Sequence, residues 1–339
     1  MTRTRIAING FGRIGRHAFK IAMEKPELEV VAVNDLGSLE VMAHLLRHDT
    51  AYGAYHKSVV IDGTDLIVGD QRIHFVSVKE PAELPWKELK IDVVLESTGR
   101  LTKDGAARAH LTAGAKRVIV SAPTKGGNVE TYLIGVNADK NSGDDVISNA
   151  SCTTNCVSPV TKVMLKHFGI KKAGMTTIHS YTAEQNLVDG PVPPMHPDLR
   201  RARAAAQNIV PTTSGAAIST GEVLPELQGK FDGYALRVPT LTVSYTDFTF
   251  LTKKKTTVEA VNEAFRAAAA SAEMHGILVV SDEPLVSSDF KGNPASAIVD
   301  LPLTNVIDGD LVKVGAWYDN EWGYANRFVE QAVLVGQAL

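Results

Sequence analysis

Cysteine is scarce: the 339 residues contain two, Cys152 and Cys156, four positions apart. That number excludes a disulfide framework, and with no second cysteine pair a four-ligand structural zinc site is disfavoured, so no metal centre is expected. Long apolar runs are missing too. No stretch approaches the ~20 apolar residues of a membrane span. The first residues, Met1-Thr2-Arg3-Thr4-Arg5, run into a short apolar strand and then glycines, without the apolar region and cleavage site of a secretory signal. A cytoplasmic location with no membrane partner is the expectation. An excess of one charge is also absent: 35 Lys+Arg oppose 38 Asp+Glu, a formal net charge of −3. This balance gives no electrostatic case for nucleic acid or an anionic membrane. No internal repeat or low-complexity tract is present.

What is present is the composition of a soluble globular protein, 44% apolar and 22% charged, long enough for two domains. In the first 150 residues, strand candidates Arg5–Asn9, Glu29–Asn34, Asp92–Glu96 and Arg117–Ser121 alternate with helical patterns at Gly12–Glu24 and Thr102–Ala113. Such alternation predicts βαβ units and a mostly parallel sheet. Ser58–Ile61 and Arg72–Phe75, with Asp-Gly and Gly-Asp turns between, suggest an antiparallel hairpin insertion. The second half changes character. A helix from about Cys152 to His167 precedes long alternating runs at Gly174–His179, Tyr234–Val238, Leu241–Leu251 and Leu311–Tyr318, with a further helix at Thr257–Ala270. These favour an α+β domain with a largely antiparallel sheet. Between them, Thr182–Pro211 carries four prolines within seven residues (Pro191 to Pro197), which forbids a regular helix or central strand. The stretch after Arg203 is Ala-rich and compatible with helix.

Gly10-Phe11-Gly12-Arg13-Ile14-Gly15 follows the first strand and opens the first helix, the G-x-G-x-x-G context of a dinucleotide site. Gly10 permits the tight turn, Gly12 lets backbone approach a pyrophosphate, and Gly15 lets helix and strand pack closely. The helix start then offers N–H groups and a partial positive charge to phosphates. Asp35 ends the second strand 20 residues after Gly15, where an acid can bond the adenosine ribose hydroxyls and repel a 2′-phosphate. NAD is therefore expected over NADP. The bland reading is a glycine-rich turn followed by an unrelated surface aspartate.

Ser151-Cys152-Thr153-Thr154-Asn155-Cys156 lies where an extended run gives way to a helix. A cysteine in a helix's first turn feels its positive end, which favours the thiolate. The bland reading is two thiols packed as small hydrophobes. Cys156, one turn on, is expected to be structural. A nucleophilic thiol needs an acid–base partner, and there are ten histidines. His179 stands out because it ends the apolar run Met175–Ile178 just before the long loop, but the residues alone leave the other nine open. Arg237, at the end of Tyr234–Val238, is either paired with a carboxylate or a fork for a phosphate. Arg200, Arg201 and Arg203 are a solvated face or an anion or subunit contact. Lys253-Lys254-Lys255 reads as a solvated strand end.

Taken in order, these pieces resemble the phosphorylating glyceraldehyde-3-phosphate dehydrogenase family along essentially the whole chain. The resemblance is carried by Ala7–Arg16, Val33-Asn34-Asp35-Leu36, Glu96-Ser97-Thr98-Gly99, Ser121-Ala122-Pro123, Ala150–Cys156 and Tyr318-Asp319-Asn320-Glu321-Trp322-Gly323-Tyr324. It implies a Rossmann NAD-binding domain over 1–151, a catalytic and oligomerisation domain over 152–321, and a C-terminal helix of about 322–339 packing back on the first. It implies Cys152 as nucleophile and His179 as its base, acting on D-glyceraldehyde 3-phosphate in a homotetramer, and a glycolytic or gluconeogenic setting. Thr182 and Arg237 would hold the substrate's phosphate. Ser151, Thr153, Ser214 and Gly215 would hold inorganic phosphate. Arg13 and Ile14 would lie at the pyrophosphate turn and Asp35 at the ribose. Lys79 and Ser121 would lie along the adenosine and nicotinamide path, and Asn320 would bond the carboxamide. Leu36 and Pro191 match members that prefer NAD. The sequence departs from the family at Glu184, Ser214 and Ile218, where aspartate, threonine and lysine are usual, and in about four extra residues around Val192–Met195.

Two other readings compete. The sister enzyme acting on erythrose 4-phosphate shares the Cys/His pair, and His196-Pro197-Asp198-Leu199-Arg200-Arg201 is similar to that branch. Thr182 and Pro211-Thr212-Thr213-Ser214-Gly215 keep the phosphorylating pattern instead. A non-catalytic dinucleotide- or RNA-binding protein could use the same scaffold, against which Cys152, His179 and Arg237 all stand.

Overall fold

A computed structural model describes residues 3–192 and 198–339. The chain divides into two compact units: residues up to Ala150 together with Ala325–Leu339, and Ser151–Tyr324.

In the first unit, β1 (Thr4–Asn9), α1 (Arg13–Ala22) and β2 (Leu28–Asn34) form the opening βαβ unit. The two strands pair in parallel from Thr4↔Leu28 to Asn9↔Asn34. α2 (Leu39–Arg47) begins at Ser38, whose side chain accepts from the Val41 N–H. After the small hairpin of β3 (His48–Asp49) and β4 (Gly53–Ala54) come β5 (Val59–Asp62), β6 (Asp65–Val68) and β7 (Gln71–Val76). These three form an antiparallel meander, and β7 also runs parallel to β2. The expected hairpin lacked the middle strand, which turns at Gly63 and Gly69, both in the left-handed region (φ +63° and +57°).

Next come β8 (Val93–Glu96), α3 (Ala109–Thr112), β9 (Arg117–Val120), β10 (Glu130–Thr131) and β11 (Val146–Ser148). The helix expected at Thr102–Ala113 shrinks to one 3₁₀ turn, Ala106–Arg108, and the single turn of α3. The reason is local. Asp104 N–H donates to Lys125 O and Lys125 N–H to Thr102 O (both 2.8 Å), while Asp104 and Gly105 have positive φ. The sheet order is β10-β11-β9-β8-β1-β2-β7-β6-β5. Its central strands present Ile6, Ile8, Val93, Val94, Leu95 and Ile119 almost without exposure, because a parallel sheet is covered on both faces. Each such side chain contributes roughly 1.5–3 kcal/mol by burial.

The second unit starts with α4 (Cys152–Phe168), capped by Ser151. β12 (Ile170–Ser180) follows, then β13 (Val210–Thr213), α5 (Ala216–Val223), β14 (Phe231–Val238) and β15 (Ser244–Thr252). α6 (Val258–Ala270), β16 (Leu278–Ser281), β17 (Ala297–Asp300), β18 (Asn305–Ile307) and β19 (Leu311–Tyr318) follow, and α7 (Trp322–Gln337), which from Ala325 on belongs to the first unit, completes the chain. The order is β13-β14-β12-β15-β19-β17-β16, with β18 beside β19. Only β12–β14 and β16–β17 run parallel. β15 alternates buried and half-buried residues along its whole length, the signature of an antiparallel strand packed on one face. The Ala-rich stretch after Arg203 is not helical; only Leu199–Ala202 forms a 3₁₀ turn. Ala205 N–H is instead drawn to Asn186 O (2.9 Å) and Ala204 N–H to the Asp189 carboxylate (2.9 Å). Of the extra residues expected around Val192–Met195, positions 193–195 lie outside the described residues.

Candidate active site

Two sets of residues carry chemistry, one in each unit. In the first, the parallel strands β1, β2, β7 and β8 all end at one edge of the sheet, where the chain leaves β1 toward β2 on one side and leaves its neighbour β8 toward β9 on the other. Open α/β sheets bind ligands at that topological switch. A cleft of about 390 Å³ lies there, lined by Asn9, Gly10, Gly12, Asp35, Lys79 and Thr98 among others. Gly10 has φ +91°, and a Cβ on it would stand 2.8 Å from the Thr98 nitrogen. A Cβ on Gly15 would meet Gly10 O at 2.0 Å, so helix and turn touch through backbone alone. A Cβ on Gly12 would meet nothing within 4 Å. Packing therefore requires the first and third glycines, whereas the second leaves room for something outside the protein.

No side chain caps α1. Asp35 is held ready at the rim, one oxygen accepting from Phe11 N–H (2.7 Å) and the other from Gly37 N–H (2.8 Å). A dinucleotide fits this arrangement: a glycine approach for phosphates at a helix start and an oriented carboxylate for ribose hydroxyls. Arg13 and Ile14 open α1, but the Arg13 guanidinium pairs with Asp49 at 2.6 Å, leaving phosphate contact to the main chain. Ser121 lies just past β9, its N–H on Glu96 O, and is not among the residues lining the cleft.

Beneath the cleft sits a buried polar network that the motif reading did not anticipate. Glu96 accepts from Asn9 Nδ2 (2.6 Å), from Thr98 N–H (2.9 Å) and from the Thr98 hydroxyl, and it contacts His110 Nε2 at 2.9 Å. Trp86 Nε1 can only donate, so its 3.0 Å contact makes His110 Nδ1 the acceptor and places the ring hydrogen on Nε2, toward Glu96. Polar residues ending apolar strands, Asn9 after Ile8 and Glu96 after Leu95, were the available signal.

In the second unit, Cys152 opens α4 and His179 lies near the end of β12. The Cys152 Sγ–His179 Nε2 distance is 3.4 Å. His179 Nδ1 lies 2.6 Å from Ser180 O, which fixes its hydrogen on Nδ1 and turns the Nε2 lone pair to the sulfur. His179 and Arg237 are direct partners in the parallel β12–β14 register. Arg237 Nη1 donates to Thr182 Oγ1 (2.7 Å) and Ser180 O (3.2 Å) and stands 3.1 Å from His179 Nδ1. Burial, and after it the Arg237 charge, pushes His179 down to about 3, so the imidazole is a neutral acceptor. Burial pushes the Cys152 thiol up, with Arg237 and the Thr153 hydroxyl pulling against it. The effect expected from the helix start is thus opposed by desolvation, and the resting pair is a thiol facing a base. Cys156 is fully buried, and burial pushes its thiol up as well.

Around this pair, Ser151 Oγ accepts from Thr154 N–H (3.0 Å), and Thr153 Oγ1 lies 3.0 Å from the Tyr318 hydroxyl. That hydroxyl also reaches Thr177 Oγ1 at 2.8 Å, tying the turn that carries Cys152 to the strand that carries His179. Ser214 and Gly215 stand at the start of α5, Ser214 Oγ accepting from Ala216 N–H (3.3 Å). Asn320 is buried, its Oδ1 accepting from Ser244 Oγ (2.9 Å). Ser244 Oγ also accepts from Ser180 N–H (3.1 Å), and the neighbouring Val243 carbonyl takes the Ser180 hydroxyl (2.8 Å). Val243 itself has φ +70°, a left-handed conformation that β-branched residues avoid.

Residues 4–104 match the family described as glyceraldehyde 3-phosphate dehydrogenase, NAD binding domain, and residues 151–320 match its C-terminal domain. The chain belongs to the glyceraldehyde-3-phosphate dehydrogenase family. Among its relatives, the glyceraldehyde-3-phosphate dehydrogenase of Geobacillus stearothermophilus is 50% identical over 98% of each chain. That of Mycobacterium avium is 52% identical over 99% of each, and that of Zymomonas mobilis 46% over 99% of each. Membership makes the chain an aldehyde oxidoreductase with a Rossmann-type NAD-binding domain and a C-terminal catalytic domain. NAD is accordingly its cofactor. No helix among the described residues is long and apolar enough to cross a membrane. No group of three or more His, Cys, Asp or Glu among them could hold a metal ion.

Proposed function

We propose that the chain oxidises D-glyceraldehyde 3-phosphate to 1,3-bisphosphoglycerate, with inorganic phosphate as acyl acceptor and Cys152 as covalent nucleophile. The observation that carries this reading is the 3.4 Å Cys152–His179 contact with Arg237 and Thr182 beside it. Cys152 Sγ attacks the aldehyde carbon while His179 Nε2 takes the thiol proton and returns it to the developing oxyanion, giving a thiohemiacetal. His179 Nε2 then removes the hydroxyl proton as the C–H bond is oxidised, leaving a thioester on Cys152. Bound NAD supplies the hydride acceptor. A phosphate oxygen attacks the thioester carbonyl, the Cys152 thiolate leaves and recovers its proton from His179, and an acyl phosphate is released.

Thr182 and Arg237 hold the substrate's own phosphate. Among the described residues the buried Arg237 Nε has no hydrogen-bond partner, a donor that an anion satisfies. Ser151, Thr153, Ser214 and Gly215 hold the attacking phosphate. Gly10, Gly12, Arg13, Ile14, Gly15, Asp35, Lys79, Ser121 and Asn320 hold NAD. The chain works in the cytoplasm as a homotetramer, in keeping with Leu187, Val188, Leu199 and Ile209, which are 66–82% exposed.

The test is NAD reduction with glyceraldehyde 3-phosphate and with erythrose 4-phosphate, each with and without inorganic phosphate. Turnover of the three-carbon aldehyde that depends on phosphate is expected. Equal turnover of the four-carbon aldehyde without phosphate overturns the reading.

A further inference from the structure

We infer that Gln185 is a further substrate-contact residue, an uncharged donor to the aldehyde's phosphate beside Thr182 and Arg237; the inference rests on the reading of that site given above. Thr182 to Gln185 is one tight turn, with Gln185 N–H donating to Thr182 O at 2.9 Å. The side chain folds back over the turn, and Gln185 Oε1 accepts from Thr182 N–H at 3.3 Å. The amide oxygen is thereby used, which fixes which end of the amide is which.

The other end, Nε2, is buried and has no hydrogen-bond partner among the described residues. A buried donor left unmade is costly, so a ligand acceptor that reaches it recovers that cost on binding. The second orphan of the cluster is Arg237 Nε, on the guanidinium whose Nη1 holds Thr182 Oγ1. One threonine therefore joins two side chains that each carry an unused donor.

The charges nearby also favour an amide. Glu184, in the same turn, accepts from Arg201 Nη1 (2.9 Å) and lies 3.7 Å from Arg237 Nη2. Burial pushes the Glu184 carboxyl up, but the two arginines and the Thr182 hydroxyl outweigh it and hold it below the usual range. Two guanidinium groups against one carboxylate leave a single positive charge, enough to draw a phosphate. Gln185 adds a hydrogen bond without a further charge.

The experiment compares kcat/KM for D-glyceraldehyde 3-phosphate with that for unphosphorylated D-glyceraldehyde in wild type, Gln185→Ala, Gln185→Glu and Arg237→Leu. Gln185→Ala should lower the preference for the phosphorylated aldehyde roughly tenfold through KM, the scale of one lost hydrogen bond to a charged group. Gln185→Glu, which sets a carboxylate against the phosphate, should lower it further. The KM for inorganic phosphate and turnover of D-glyceraldehyde should hold in both variants, and because Gln185→Glu keeps an acceptor for Thr182 N–H, a fall in that variant separates the lost donor from a displaced Thr182. An unchanged preference in both, or a parallel fall with both aldehydes, overturns the inference. If Arg237→Leu also leaves the preference unchanged, the site assignment itself fails.

Discussion

The nucleotide cleft and the Cys152 site are built on opposite plans. At the cleft, the decisive atoms are backbone: Gly10 and Gly15 matter because a Cβ would strike main chain at 2.8 and 2.0 Å. At the Cys152 site the decisive atoms are side-chain tips, brought together from α4, β12 and β14 by a strand register that pairs His179 with Arg237. The first plan forbids added atoms. The second forbids lost or moved ones.

Substitutions can break or sharpen this contrast. Cys152→Ala should cut turnover by about 10⁴ or more, since no other group can carry the acyl intermediate. NAD titration of the same variant should give near wild-type affinity; a parallel loss would mean the two sites are not independent. His179→Asn should slow acylation by about 10²–10⁴ in single-turnover kinetics; a change below tenfold would remove it as the base. Gly15→Ala should destabilise by about 1–3 kcal/mol in denaturant unfolding, because the new methyl overlaps a fixed carbonyl.

Stability should also fall as pH drops below 6.5. Folding holds His179 near 3 while the unfolded imidazole titrates at 6.5, so the unfolded state binds the extra proton across that window. The slope from this group is at most about 1.4 kcal/mol per pH unit. Denaturation midpoints of wild type and His179→Asn between pH 6.5 and 5 isolate it, above the range where carboxylates titrate. Equal slopes would refute the depressed value. Gly12→Ala is the mildest case: a stability change under about 1 kcal/mol, with weaker NAD binding, because the added methyl has open space. Equal damage from Gly12→Ala and Gly15→Ala would dissolve the distinction between packing and ligand glycines.

The same contrast explains what could be read in advance. The cleft was legible because its parts are local: a glycine spacing, a strand before it and Asp35 after the next strand. The alternation of β1, α1 and β2 needs only short-range periodicity. The second site needed long-range pairing, and periodicity does not say which strand lies beside β12. From the residues alone His179 remained one of ten histidines, and resemblance to the family supplied what register would have. The failed helix at Thr102–Ala113 has the same cause, since Thr102 and Asp104 bond to Lys125, more than 20 residues away. The Glu96–His110–Trp86 network escaped notice because nothing local links positions 86, 96 and 110. The thiol's burial was also invisible, so the helix start suggested an acidity that desolvation opposes.

Val243 adds a matter of timing. Its left-handed backbone costs about 1–3 kcal/mol and is held through bonds to Ser180 and, by way of Ser244, to Asn320. Those partners sit on segments far apart in sequence, so nothing favours this turn until β12, β15 and the end of β19 have met. It should therefore set last during folding and relax first on warming. Activity should disappear a few degrees before helical circular dichroism does; coincident loss would show that the turn and the core melt as one.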